Sequence, residues 1–197
     1  MTPSTLPIES LLPATFTAPG LSEAEFLKLC AQFPDAMVEY TSDGTVILLP
    51  LKDPENAARG AEVTLQLGRW ADAHGCHVCG PDVGFHFRDG SWRSPDASWF
   101  DRGRWMTAKR PETRFPVFAP DFAIEIHAED QRIGDLREKM EDYIANGVQL
   151  AWLIDPQDRT VTIYRTGQAP ELLRKPSTVR GEGPVEGFVL DLERIFA

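Results

Sequence analysis

The spacing of apolar residues changes along the chain, and each change marks an element. In "LSEAEFLKLCAQFP", Phe26, Leu29 and Phe33 recur at helical spacing. Ser22 stands as the cap, Glu25 follows three residues on as in a capping box, and Pro34 is the stop. "MVEYTSDGTVILLP" places Ser-Asp-Gly between two apolar runs and predicts a hairpin. From Asn56 to His74, Val63, Leu67 and Trp70 form the stripe of a second helix ending near Gly75. "CHVCGPDVGFHFRDGSWRSPDASWF" reads as short antiparallel strands broken by Gly, Pro and an Asp-Gly turn. A loop rich in Arg, Lys and Pro, "DRGRWMTAKRPETRFPVFAP", then leads to the strand "DFAIEIHA".

The clearest helix is "EDQRIGDLREKMEDYIANGV", with Ile133, Leu136, Met140, Tyr143 and Ile144 on one side and Asn146-Gly147 as its end. The strands "QLAWLIDP" and "TVTIYRTG" follow, and "GFVLDLERIF" closes the chain. Strand, helix and strand from Asp121 to Pro156 predict a right-handed crossover joining two parallel strands. The expected class is α/β (α+β mixed), a mixed central sheet flanked by helices. Residues 1–20, with four prolines, predict an extended N-terminal arm, and residues 21–197 a single domain.

Composition narrows the function classes. Hydrophobic residues at 42% and charged ones at 25% suit an ordinary globular protein. No apolar run approaches the roughly 20 residues of a membrane span, and the first residues lack the basic flank of a signal peptide. The expectation is a soluble, cytoplasmic protein without membrane partners. A formal net charge of −10 opposes nucleic acid globally, so any such binding is expected to be weak and to need a divalent cation or a local basic patch. The segment "RGRWMTAKR" is the best candidate for that patch. Cys76 and Cys79 form a CxxC with His74 and His77 nearby, but no second ligand pair stands at zinc-site spacing. Small, half-buried strand residues are the favoured reading of "GCHVCG".

Pro-Asp heads two apolar stretches, "SPDASWF" with Asp96 and "APDFAIEIHAED" with Asp121 and Glu125. Strand alternation puts Asp121, Ala123, Glu125 and His127 on one face, so Glu125 sits in mid-strand between isoleucines and needs a partner. Asp96 heads a neighbouring strand that can bring it beside Glu125. Two carboxylates with waters match the hard oxygen coordination of Mg²⁺. Lys139, on the following helix, and His127 are the candidate cations.

In their order, Pro95-Asp96, then Glu125, then Lys139 within "LREKMEDYIANGVQLAWLIDP" resemble the Uma-two family of restriction-endonuclease-like proteins. That family belongs to the PD-(D/E)XK nuclease superfamily, and the resemblance runs from about Glu39 to the end. It implies a restriction-endonuclease-like core and a Mg²⁺-dependent endonuclease (Mn²⁺ as a substitute) hydrolysing DNA. Asp96 and Glu125 would be its metal ligands, Lys139 its active-site lysine, and the assembly a homodimer. The superfamily places its lysine two residues after the acid, where this chain has His127. The alternative is a catalytically weak or inactive member that serves as a binding or regulatory partner.

Plainer readings stand beside these. Glu125 can instead pair with Arg93 or Arg132, Lys139 can be a solvated helix residue, and Asp121 fits a turn better than a metal. Glu55 and Glu62 lie where superfamily members often add a glutamate. Trp92, Trp99, Trp105 and Trp152 read as core or dimer contacts.

Overall fold

The computed structural model describes residues 12–72, 77–109 and 114–197. His74 and Cys76 of the CxxC stretch, Arg110 of the basic segment and residues 1–11 of the arm lie outside the described residues. The arm enters as β1 (Ala14–Thr17), followed by α1 (Glu23–Gln32), β2 (Met37–Tyr40), β3 (Thr45–Leu49) and α2 (Pro54–Ala71). Short strands come next: β4 (His77–Cys79), β5 (Phe85–His86), β6 (Trp92–Arg93) and β7 (Ala97–Phe100), then α3 (Arg102–Ala108). The crossover is β8 (Phe122–Ile126), α4 (Ile133–Ala145) and β9 (Leu150–Asp155). β10 (Thr160–Arg165), β11 (Glu171–Arg174), β12 (Thr178–Arg180) and β13 (Val189–Asp191) complete the chain.

The larger sheet has the order β11-β10-β9-β8-β7-β4. β8 and β9 run parallel, as the crossover predicts, and their neighbours pair antiparallel, so the sheet is mixed. A smaller sheet, β1-β3-β2-β6-β5, was not legible as a unit. Its β2–β3 hairpin was expected, but its pairing with β1 of the arm and with β6 joins segments far apart in sequence. Within the described part of the arm, Ala14–Thr17 is therefore tied to β3 as an edge strand.

Helices cover both faces of the larger sheet. Val63 and Leu67 of α2 share a core with Phe122, Ile124, Ile126 and Trp152. Leu136, Met140 and Tyr143 of α4 share another with Ala123 and Leu153. All of β8 is buried, as a central strand covered on both faces must be. Strand alternation sends Phe122, Ile124 and Ile126 toward α2 and leaves Ala123 and Glu125 facing α4.

Local signals explain where the helices begin. Ser22 and Glu25 form the reciprocal capping box of α1: the Ser22 N–H donates to Glu25 Oε2 at 2.9 Å, and Ser22 Oγ accepts from the Glu25 N–H at 3.4 Å. At α2, Asp53 Oδ1 accepts from the Glu55 and Asn56 N–H groups, and Pro54 opens the first turn. The expected basic loop is in part helix α3. Asp101 caps it by accepting from the Arg104 N–H at 2.9 Å, and Trp105 packs between Phe100 and Phe118 at 5.7 and 5.4 Å. Counting its basic residues obscured an aspartate cap and an apolar anchor. Among the described residues, no helix is long and apolar enough to cross a membrane.

Candidate active site

Ala97 of β7 stands across from Ile124 of β8, so the antiparallel register carried back one place sets Asp96 opposite Glu125. The Ile126 N–H donates to Asp96 Oδ2 at 2.8 Å and locks the Pro-Asp segment to β8. Lys139 lies on the inner side of α4, nearly buried rather than solvated, with Nζ 2.9 Å from Glu125 Oε1 and 2.7 Å from Glu39 Oε1. One helical turn on, Tyr143 donates to Glu125 Oε1 at 2.6 Å. The three expected site residues, Asp96, Glu125 and Lys139, are thus brought together by β7, β8 and α4.

Glu39 joins them from β2 and is 1% exposed. It accepts from Lys139, from the Ser94 N–H at 3.0 Å and from Arg93 at 3.3 Å, while Arg93 also reaches Asp142 at 2.6 Å. Arg93 is therefore the partner of Glu39 and Asp142, and the cation on Glu125 is Lys139. Lys52, from the connection between β3 and α2, pairs with Asp96 Oδ1. The cluster opens on a cleft of about 720 Å³ whose lining includes Ile47, Leu49 and Lys52 from the smaller-sheet side and Arg132 and Asp135 from the start of α4.

The two acids on Lys139 are held differently. Burial raises Glu125, Lys139 offsets part of that, and the neighbouring charges of Asp96 and Glu39 add to it, leaving the carboxyl at about 7. Burial also acts on Glu39, but Lys139 and Arg93 outweigh it and hold this acid below its ordinary value. Burial would lower the Lys139 ammonium, yet Glu125 and Glu39 raise it above the ordinary lysine range. Burial and the same two acids push the Tyr143 phenol well up, so it remains a hydrogen-bond donor.

The Glu125 shift sets a pH dependence. The ordinary value is 4.5 and the folded one about 7, so between them the folded protein holds a proton that the unfolded chain has released. Its contribution to stability is present below the lower value and is lost as pH rises through the upper one. Urea midpoints of the metal-free protein are expected to show this loss, relative to Glu125→Gln, which cannot titrate. A divalent cation, which favours the ionised acid, is expected to reverse it.

Other sequence candidates fall outside the cluster. His127 lies at the far end of β8 with Nε2 2.9 Å from the Gln131 carbonyl, while its Nδ1 stands 3.2 Å from Asp155 without making a hydrogen bond. Asp121 accepts from the Asp101 N–H at 2.9 Å, from Gln149 Nε2 at 2.5 Å and from Arg104, and so ties α3 to the starts of β8 and β9. Asp121→Ala is expected to cost about 2 kcal/mol in a denaturant titration while leaving metal affinity unchanged. Glu55 pairs with Arg59 on the surface, and Glu62 is engaged by Gln66 and Arg194; neither lines the cleft. Trp92, Trp99 and Trp152 are core residues, and Trp105 packs against the core.

Sequence reasoning passed over Glu39 as a site residue. Its signal matched that of Glu125, a carboxylate between apolar strand residues, Val38 and Tyr40. Lys52 had no signal, because a lysine in a connection is ordinarily solvated.

Which metal fits follows from the donors. Among the described residues, no group of three or more His, Cys, Asp and Glu side chains gathers as a metal cluster. Of the "CHVC" stretch, the described residues give a zinc site no support: burial raises the Cys79 thiol, opposite to what a thiolate ligand needs, and the His77 ring packs on Phe100. The Asp96–Glu125 pair does fit Mg²⁺, which takes one or two carboxylates and keeps waters or phosphate oxygens for the rest. Glu125 Oε2 accepts no hydrogen bond among the described residues, so one oxygen of this acid is left for such an ion.

Comparison with known proteins bears on the fold and the family. None of the curated proteins matches the chain. Among solved structures, one described as a "putative nuclease belonging to DUF820", from Anabaena variabilis ATCC 29413, superposes with a TM-score of 0.75 at 25% identity. The match covers 90% of this chain and 98% of that one, and the fold is restriction-endonuclease-like. A family model, Uma2, "Putative restriction endonuclease", matches residues 23–193, a span that holds Glu39, Asp96, Glu125, Lys139 and the whole crossover. The chain belongs to the Uma2 family.

Proposed function

We propose that the protein is a Mg²⁺-dependent endonuclease that hydrolyses DNA phosphodiester bonds, with Mn²⁺ as a substitute metal. The observation that carries this reading is the convergence of Asp96, Glu125 and a buried, charged Lys139 at the floor of an open cleft. Asp96 and Glu125 would hold the ion. When bound, the ion would acidify a water and neutralise charge developing on the phosphate. Tyr143 and Lys139 fix the Glu125 carboxylate, and Glu39 fixes Lys139, so the acid and the cation are set before substrate arrives. Lys139 then supplies a positive charge to the reacting phosphate from a position it cannot easily leave. A homodimer belongs to this proposal on the family resemblance alone and is read by analytical ultracentrifugation.

The test is cleavage of supercoiled plasmid and of single-stranded DNA with Mg²⁺ or Mn²⁺, wild type beside Asp96→Asn. Cleavage by the wild type that the variant lacks supports the assignment, and equal cleavage by both defeats it. A second reading, a nuclease fold kept for binding, is favoured by one feature. Lys52, Arg93 and Lys139 are each paired with acids, which leaves Arg132 as the cleft-lining cation without an ion pair among the described residues, a thin positive charge for a polyanion. Calorimetry with Mn²⁺ separates the two, because a purely structural carboxylate network takes up no metal.

A further inference from the structure

Asp96 has two carboxylate oxygens, and both are taken. Oδ2 accepts the Ile126 N–H, a backbone contact that holds the side chain in place. Oδ1, the oxygen left for a cation, is met by Lys52. That lysine belongs to neither strand of the acid pair; it comes from the connection between β3 and α2, next to the Asp53 cap and Pro54 that anchor the backbone there.

Its attachment differs from that of the other cations at the site. Arg93 is held by Glu39 and Asp142, and Lys139 by Glu39, Glu125 and the Ser94 carbonyl. Lys52 has a single partner among the described residues, Asp96 Oδ1. Its side chain is 22% exposed to the cleft, while that of Asp96 is 6% exposed. A flexible four-carbon stem on a fixed backbone, with one contact to break and solvent beside it, is the cation that can leave.

We propose that Lys52 is a built-in counter-ion that a divalent metal displaces from Asp96 Oδ1, so that Lys52 sets the metal affinity of the site. The inference rests on the reading of Asp96 and Glu125 as metal ligands. In the metal-free protein the ammonium neutralises Asp96, which would otherwise stand as an unpaired carboxylate beside Glu125. The same contact withholds the carboxylate from metal for as long as it is made. Apparent affinity then falls by the fraction of molecules in which Asp96 is free, and a site nine-tenths occupied by the lysine binds about tenfold more weakly than an unoccupied one. The arrangement confines metal loading to conditions that also let Lys52 swing into the cleft.

The experiment is a Mn²⁺ titration of the whole protein, followed by electron paramagnetic resonance of the free ion, on wild type, Lys52→Met, Lys52→Gln and Asp96→Asn. Both Lys52 variants are expected to bind Mn²⁺ about tenfold more tightly than wild type, and Asp96→Asn much more weakly. The metal-induced rise in Tm is expected to be larger in the Lys52 variants as well. Wild type and a folded Lys52 variant binding equally, with Asp96→Asn impaired, would overturn the counter-ion proposal and leave the metal site standing. Asp96→Asn binding as well as wild type, or no binding by wild type and Lys52 variants alike, would overturn both.

Discussion

Glu125→Gln is expected to abolish metal-dependent cleavage while leaving the metal-free protein at least as stable as wild type near pH 8. The two halves have one cause. Above about 7 the Glu125 carboxyl is ionised in a place that opposes its charge, because burial and the nearby Asp96 and Glu39 outweigh the help from Lys139. Glutamine keeps the shape and an oxygen that Tyr143 can donate to, but removes the charge that the fold disfavours. Lys139 retains Glu39 as its partner. On the proposed reading the lost charge is also the one a divalent ion would require. Changing groups that merely support a metal ligand commonly costs ten- to a hundredfold, so losing the ligand itself should lower metal affinity by at least about a hundredfold. Chemical denaturation and a Mn²⁺ titration of the same preparation test both halves. A variant less stable than wild type and still able to bind metal would make Glu125 a structural acid.

Glu39→Gln should do the opposite. Glu39 is as deeply buried as Glu125, yet its carboxyl is held below its ordinary value because Lys139 and Arg93 overcome the burial. An acid depressed in the fold stabilises it at every pH above the unfolded value, and that contribution disappears as pH falls through the folded one. Removing the charge leaves Arg93 with Asp142, which is partly exposed, and Lys139 with Glu125, which is itself reluctant to ionise. Breaking a buried ion pair from one side typically costs about 3–5 kcal/mol, and that loss is expected in a urea titration at pH 7. Binding of Mn²⁺ by the surviving folded fraction should fall far less than in Glu125→Gln. On the proposed reading two glutamates on one lysine divide the work, Glu39 holding the fold together and Glu125 serving the ion. A loss of stability below about 1 kcal/mol would refute that division.

Much of this was legible along the chain. The capping box of α1, the β2–β3 hairpin and the β8–α4–β9 crossover each declare themselves within fewer than forty residues, through spacing, caps and turn residues that act locally. The alternation in β8 sets Glu125 on one face of its strand, but that this face meets α4, and that Lys139 is buried there, came only with the fold; periodicity leaves Lys139 off the apolar stripe of α4, and only its place on the helix after Glu125 and the family resemblance singled it out. Asp121 was separated from the site by its place at the strand mouth, and its contacts with Asp101, Arg104 and Gln149 agree.

What the chain could not declare were pairings between distant segments. Glu39 lies 100 residues from Lys139, and Lys52 lies 44 from Asp96. Nothing in "VEY" or "PLKDP" says which acid or cation will face it. The smaller sheet makes those meetings by joining the N-terminal arm, the hairpin and β6 into one surface beside the acid pair. Sequence by itself determined most of the elements, the crossover and the acids Asp96 and Glu125, because propensity and periodicity act over a few residues, while α3, β1 and Glu39 emerged only in the fold. Tertiary structure alone decided which charges are shared, and therefore which buried acid is depressed and which is raised, because that balance depends on burial and on neighbours that the chain brings together only when it folds.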